Sequence, residues 1–279
     1  MPPGARMHQD PSDSARAGAG ASAPPTEGPL RLAVAAVRSL ATYVAVSLYV
    51  LVTAPLGMAL AVAFGWKDIL YIFGHGGVRM ALALSGIRYR VAGREHLPPP
   101  GRAAVYCANH QSNVDPPILY EALHPRLHIL YKAELNRVPL LGRAFGHGGF
   151  VAVDRSNRER AMQSIETGAA SLRAGNSFLI FPEGTRSRTE ALLPFKKGGI
   201  VMAMRAGVPI VPVAIQGGRA AMHKGSPIVR PVTVSIRIGE PVETAGIPIE
   251  ERDAVIAELR GRIEELLAKG EVGNVERGT

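Results

Sequence analysis

Cysteine is nearly absent from this chain of 279 residues. With Cys107 alone, no intramolecular disulfide can form, which fits a reducing compartment. Cys107 lies three residues before His110 in an apolar, strand-like run, where a free thiol is expected as core packing rather than as a nucleophile. Aromatic residues are also scarce, and no run interleaves them with basic residues. That excludes the stacking surface of a single-strand nucleic-acid binder, although Lys plus Arg (32) exceed Asp plus Glu (23) for a formal charge of +9. The positive surface is therefore expected to meet anionic lipid headgroups, with no nucleic acid as partner. No Gly-x-Ser-x-Gly turn is present, so no serine is set up as a nucleophile on that pattern. Finally, no charged residue occurs between Ser39 and Trp66.

What is present divides the chain. Residues 1–28 are rich in Ala, Gly, Pro and Ser without apolar periodicity and read as a disordered leader. The uncharged stretch from Ser39 to Trp66 is long enough to cross a bilayer as a helix, with Pro55 and Gly57 inside it. A second apolar stretch, Ile69 to Ile87, is broken by Gly74, His75, Gly76, Gly77 and Arg79, and is expected in the membrane interface. Arg31 and Arg38 favour a cytoplasmic N-terminus. A single clean span would then carry the rest of the chain to the far side, so a kinked or re-entrant helical hairpin over 29–86 is expected instead. From 87 to 270 short apolar runs alternate with amphipathic stretches, and residues 271–279 read as a disordered tail. Strands are expected at 87–92, 103–108, 127–131, 150–153, 178–181, 210–215 and 232–238. Helices are expected at 117–122, 139–145, 158–173, 198–206 and 250–267. This pattern predicts an α/β domain with a largely parallel or mixed central sheet flanked by helices.

Two motifs carry chemistry. The first is Asn109-His110-Gln111-Ser112-Asn113-Val114-Asp115. On a regular helix, five residues would splay His110 and Asp115 by roughly 140°. They meet only if His110 sits on the turn between a strand ending at Ala108 and a helix beginning near Asp115-Pro116. A neutral imidazole there can take a proton from a hydroxyl, and a carboxylate on its other nitrogen fixes the tautomer. The bland alternative is an Asp helix cap beside an ordinary polar His. The second motif is Phe181-Pro182-Glu183-Gly184-Thr185-Arg186-Ser187, at the end of a buried strand. Gly184 lets backbone approach a ligand, Thr185 adds a hydroxyl, and Arg186 can grip phosphate bidentately. Glu183 can accept from a polyol or orient the Arg. Arg155 stands at the end of another strand, and the two Arg on adjacent strand ends are expected to make a dianion clamp. Val208–Val213, bracketed by prolines, reads as a core strand first and as acyl-chain packing second.

These segments, in this order, resemble the lysophosphatidic acid acyltransferase family of glycerophospholipid acyltransferases. Asn109, His110 and Asp115 match its Asn-His-x-x-x-x-Asp block, and 181–187 match its Phe-Pro-Glu-Gly-Thr-Arg-Ser block at all seven positions. Gly149 and Arg155 fit its Gly-x-x-Phe-x-x-Arg block, with Ala152 where the family has Phe, and Pro212 falls in its Val-Pro block. The resemblance implies an acyl-CoA or acyl carrier protein donor as co-substrate, no metal or other cofactor, and a lysophospholipid acceptor. It implies that His110 is the base and Asp115 its partner. It further implies that Arg155, Glu183, Gly184, Thr185 and Arg186 contact the acceptor, and that Lys132 lies near the acyl tunnel or the oxyanion. The expectation is transfer of an acyl group to the sn-2 hydroxyl of lysophosphatidic acid, giving phosphatidic acid, at the cytoplasmic face of the cell membrane. Two alternatives stay open: another lysolipid acceptor, such as a lyso-amino-acid lipid, or a catalytically silent lipid-binding adaptor.

Overall fold

The computed structural model describes residues 28–273, apart from 67, 124–125, 138–141, 143–145, 147 and 155–156. The leader, most of the tail and nearly all of the helix expected at 139–145 lie outside the described residues. Seven strands form one sheet: β1 (Arg88–Ala92), β2 (Val105–Ala108), β3 (Leu127–Lys132), β4 (Val151–Val153), β5 (Ser177–Ile180), β6 (Ile210–Gln216) and β7 (Thr233–Ile238). Their order is β1-β7-β6-β2-β5-β3-β4. All neighbours are parallel except β6 and β7, so the sheet is mixed, as expected.

Strand alternation builds two cores, one on each face. In β2, Tyr106 and Ala108 point to one side, while Val105 and Cys107 point to the other. The first face is covered by α3 (Asp115–Leu123), through Ile118, Leu119, Ala122 and Leu123. The second is covered by α4 (Arg158–Arg173), α5 (Gly198–Ala206) and α7 (Arg252–Ala268), with Leu172, Ile200, Met202, Val255, Leu259 and Ile263 packed inward. Cys107 is fully buried, and burial pushes its thiol up, as a core residue requires. Val208-Pro209-Ile210 leads into β6, whose residues 210–215 are buried at the centre of the sheet.

Ahead of the sheet stand α1 (Pro29–Phe64) and α2 (Asp68–Ser85). α1 is long and apolar enough to cross a membrane. α2 runs unbroken through Gly74-His75-Gly76-Gly77. The glycines admit two tyrosines at close range. A Cβ at Gly76 would lie 2.5 Å from the Tyr49 hydroxyl of α1, and one at Gly74 would lie 3.1 Å from the Tyr120 hydroxyl of α3. His75 and Arg79 both pair with the buried carboxylate of Glu121 on α3, although the Arg79 side chain is itself 72% exposed. Packing on both neighbours outweighs the helix cost of glycine, about 1 kcal/mol each.

Candidate active site

β2, β5 and β6 are parallel, so their C-terminal ends share one edge, where α/β sites gather. Register then decides which loops meet. Cys107 lies opposite Ile180, and the same offset carried forward sets His110 beside Glu183. The bonds agree. The His110 N–H donates to Glu183 Oε1 at 2.7 Å, and the Ser187 N–H donates to the His110 carbonyl at 2.8 Å. Both backbone groups of His110 are therefore held by the second motif. On the other side, the Asn109 carboxamide copies a strand: Nδ2 donates to the Ile215 carbonyl at 3.0 Å, and Oδ1 accepts from the Ile215 N–H at 2.8 Å.

Within this frame the His110 ring stacks on Phe181, with centroids 4.2 Å apart. Its Nδ1 lies 3.0 Å from Asp115 Oδ2. That oxygen also accepts from the Gln111 and Ser112 N–H groups, each at 2.7 Å. Asp115 opens α3 and is fully buried, and its negative charge sits at a helix N-terminus. An acceptor held this firmly makes Nδ1 the protonated nitrogen, which leaves Nε2 with a lone pair for a proton. The His110 side chain keeps 16% exposure.

Gly218, in the short helix α6 (Gly218–Ala221), walls the other carboxylate oxygen: a Cβ there would lie 2.1 Å from Asp115 Oδ1. Asp115 Oδ1 is buried and has no hydrogen-bond partner among the described residues. Glu183 is 3% exposed, and its second oxygen accepts from the Leu193 N–H at 2.9 Å. Burial pushes its carboxyl up, and the N–H bonds from Leu193 and His110 oppose that shift. Glu183 thus orients the backbone of His110, rather than Arg186 as the sequence allowed.

The turn from Gly184 to Arg186 bulges between these two ties. Gly184 has φ +68°, a left-handed conformation that glycine adopts freely. Arg186 is half-buried, and its guanidinium makes no hydrogen bond or ion pair among the described residues. Thr185 is exposed beside it.

Residues 88–216 match the family model described as Acyltransferase. A 1-acyl-sn-glycerol-3-phosphate acyltransferase of Pseudomonas aeruginosa is 34% identical over 182 residues, covering 65% of this chain and 68% of that protein. The chain belongs to the lysophosphatidic acid acyltransferase family. A 1-acyl-sn-glycerol-3-phosphate acyltransferase of Limnanthes douglasii is 32% identical over 183 residues, covering 65% of this chain and 64% of its own length. The crystal structure of the 1-acyl-sn-glycerophosphate acyltransferase of Thermotoga maritima matches with a TM-score of 0.71 at 26% identity, over 88% of this chain and 100% of that one. The chain spans 56–64% of the length of the plant relatives it matches.

Among the family's blocks, the first and third are brought together as the sequence expected. Arg155 and the side chain of Lys132 lie outside the described residues. The expected clamp of adjacent strand ends needs correction. Arg155 follows β4 and Arg186 follows β5, but β3 runs between them, so the strand ends stand about 10 Å apart, two strand spacings. Lys132 ends that intervening strand. Phe150, two positions before Ala152, packs edge-on against the buried His128. Sequence reasoning gave no role at the site to Asn109's pairing, the Phe181 ring or Gly218. The first two lie inside quoted motifs, while Gly218 carries no side chain to signal its contact.

Proposed function

We propose that this chain transfers an acyl group from a thioester, acyl-CoA or acyl carrier protein, to the sn-2 hydroxyl of 1-acyl-glycerol-3-phosphate. The product is phosphatidic acid. The observation that carries this reading is the Nδ1–Oδ2 bond of His110 and Asp115, with Oδ2 anchored by two further N–H groups. It supports a base whose Nε2 accepts the hydroxyl proton as the oxygen attacks the thioester carbonyl. The new C–O bond forms, the C–S bond breaks, and the proton passes from Nε2 to the leaving thiolate. Asp115 stabilises the imidazolium in between. Arg186 receives the acceptor's phosphate, with Arg155 as a further acceptor contact and Lys132 near the acyl tunnel or the oxyanion, as the family resemblance implies.

The apolar face of α1 supports a place on the membrane. Val37, Leu40, Val44, Leu48, Leu51 and Val52 are all exposed along it. Arg31 and Arg38 near its start favour the cytoplasmic face.

The test uses radiolabelled oleoyl-CoA or oleoyl-acyl carrier protein with lysophosphatidic acid and the full chain in detergent. Wild type should label phosphatidic acid, and His110→Ala should lose about 10²–10⁴-fold in kcat while melting as wild type does. Equal rates for the two would sink the mechanism. Label only in other lysolipids would move the acceptor, and no label from either donor would leave the silent adaptor.

A further inference from the structure

We infer that Lys196 and Lys224, which lie outside every family block, complete a phosphate-binding subsite with Arg186 beside His110. This deepens the acyl-transfer reading and rests on it. The Lys196 side chain crosses Gly184 so closely that a Cβ there would lie 2.9 Å from its Cδ, Cε and Nζ. Its backbone N–H is pinned to the Pro182 carbonyl at 2.7 Å. From the other side, Lys224 Nζ donates to the Arg186 carbonyl at 2.9 Å and stands 3.4 Å from Thr185 Oγ1. Three cationic side chains therefore belong to one three-residue turn, whose two ends are tied to the backbone of His110.

Among the described residues no carboxylate forms an ion pair with them. Glu183 is turned inward onto two backbone N–H groups. The next residue in sequence behaves otherwise: Lys197 Nζ lies 2.9 Å from Asp253 Oδ1. Like charges brought together repel by roughly 1 kcal/mol at 4 Å in water and more near a low-dielectric surface. An anion seated among them removes that repulsion and gains charge-assisted bonds. Gly184 fits the same reading, because any side chain there would displace Lys196. Both substrates carry phosphate: the acceptor as a monoester, and the donor CoA on its nucleotide.

Two measurements decide the matter. Calorimetry with inorganic pyrophosphate, which needs no turnover, compares the full-length wild type with Lys196→Met/Lys224→Met, a change that keeps the apolar stems and removes the charges. At least tenfold weaker binding by the double variant is expected. Equal affinity overturns the subsite, whatever the outcome of the acyl-transfer assay. Steady-state kinetics then assign the source. A KM raised about tenfold per lysine for oleoyl-CoA places the donor there, and the same rise for lysophosphatidic acid places the acceptor. Both KM values within twofold of wild type would overturn the inference, as would a fall in kcat with both KM values unchanged. Lys197→Met should match wild type in both measurements.

Discussion

The loop that carries His110 and the helix α1 hold their polar groups in opposite ways. From Asn109 to Asp115, side chains and backbone bond to protein partners as far away as Met222: Ser112 Oγ reaches that carbonyl at 2.8 Å, and Asn109 completes a ladder with Ile215. Over its 36 residues α1 makes only a few such ties to the rest of the protein. Tyr43 donates to the Pro227 carbonyl, Tyr49 donates to the Phe73 carbonyl, and Ser39 is bonded to Val229. Much of its surface is exposed and apolar, with Leu40, Leu48, Leu51 and Val52 all open. One region gains fixed geometry at the expense of freedom to move. The other leaves an apolar face open, and lipid is the solvent such a face requires. Changes in the loop should therefore fall on kcat, and changes in α1 on stability or membrane attachment.

The largest effect that would break this contrast is at Asp115. An Asn there can keep its carbonyl on the three N–H groups that meet Oδ2, but it sets an NH2 at the buried Oδ1 position, which has no partner among the described residues, and it removes the charge that stabilises the imidazolium. Asp115→Asn should lower kcat by on the order of 10³–10⁴-fold by withdrawing that charge, with KM nearly unchanged. A variant that kept more than a tenth of wild-type kcat would show that the carboxylate is only a helix cap.

Next comes Gly218→Ala. The added methyl would lie 2.1 Å from Asp115 Oδ1, so the carboxylate or the α6 turn must shift. A displacement near 1 Å at the reacting centre costs about 10²-fold. The expected result is a kcat loss of that order with KM retained, beyond what the accompanying drop in melting temperature explains. If kcat were wild-type, Gly218 would be packing alone.

Much of this contrast was legible in the sequence, and the reasons for the rest are physical. Strand runs and the helix over 158–173 follow local period and capping, with Asn157 accepting from the Arg160 N–H at 3.0 Å. The His–Asp pair was legible because its partners are close in sequence. Strand order was not, since nothing local says that β3 inserts between β4 and β5. The packing role of the α2 glycines was not legible, because Tyr49 and Tyr120 reach them from distant segments. Glu183's grip on His110 depends on the register of β2 with β5, which exists only after folding.

The smallest effect sharpens the comparison from the other side. Ser39 is one of the buried residues of α1, at 3% exposure, and it is bonded to the sheet domain as the His110 loop is. Its Oγ donates to the Ala35 carbonyl at 2.6 Å and accepts from the Val229 N–H at 2.8 Å. Ser39→Ala therefore strips a buried N–H of its acceptor, at a cost of about 1–3 kcal/mol. In a chain of this size each kcal/mol lowers the melting temperature by roughly 2–4 °C. Leu48→Ala, on the exposed face at 59%, should leave the melt in detergent unchanged. Neither should alter kcat by more than about twofold in detergent, because neither side chain belongs to the network that fixes His110. Calorimetric melts beside the transfer assay would check both. A kcat that fell with Ser39→Ala would mean that α1 helps to fix His110 as well as to hold the membrane.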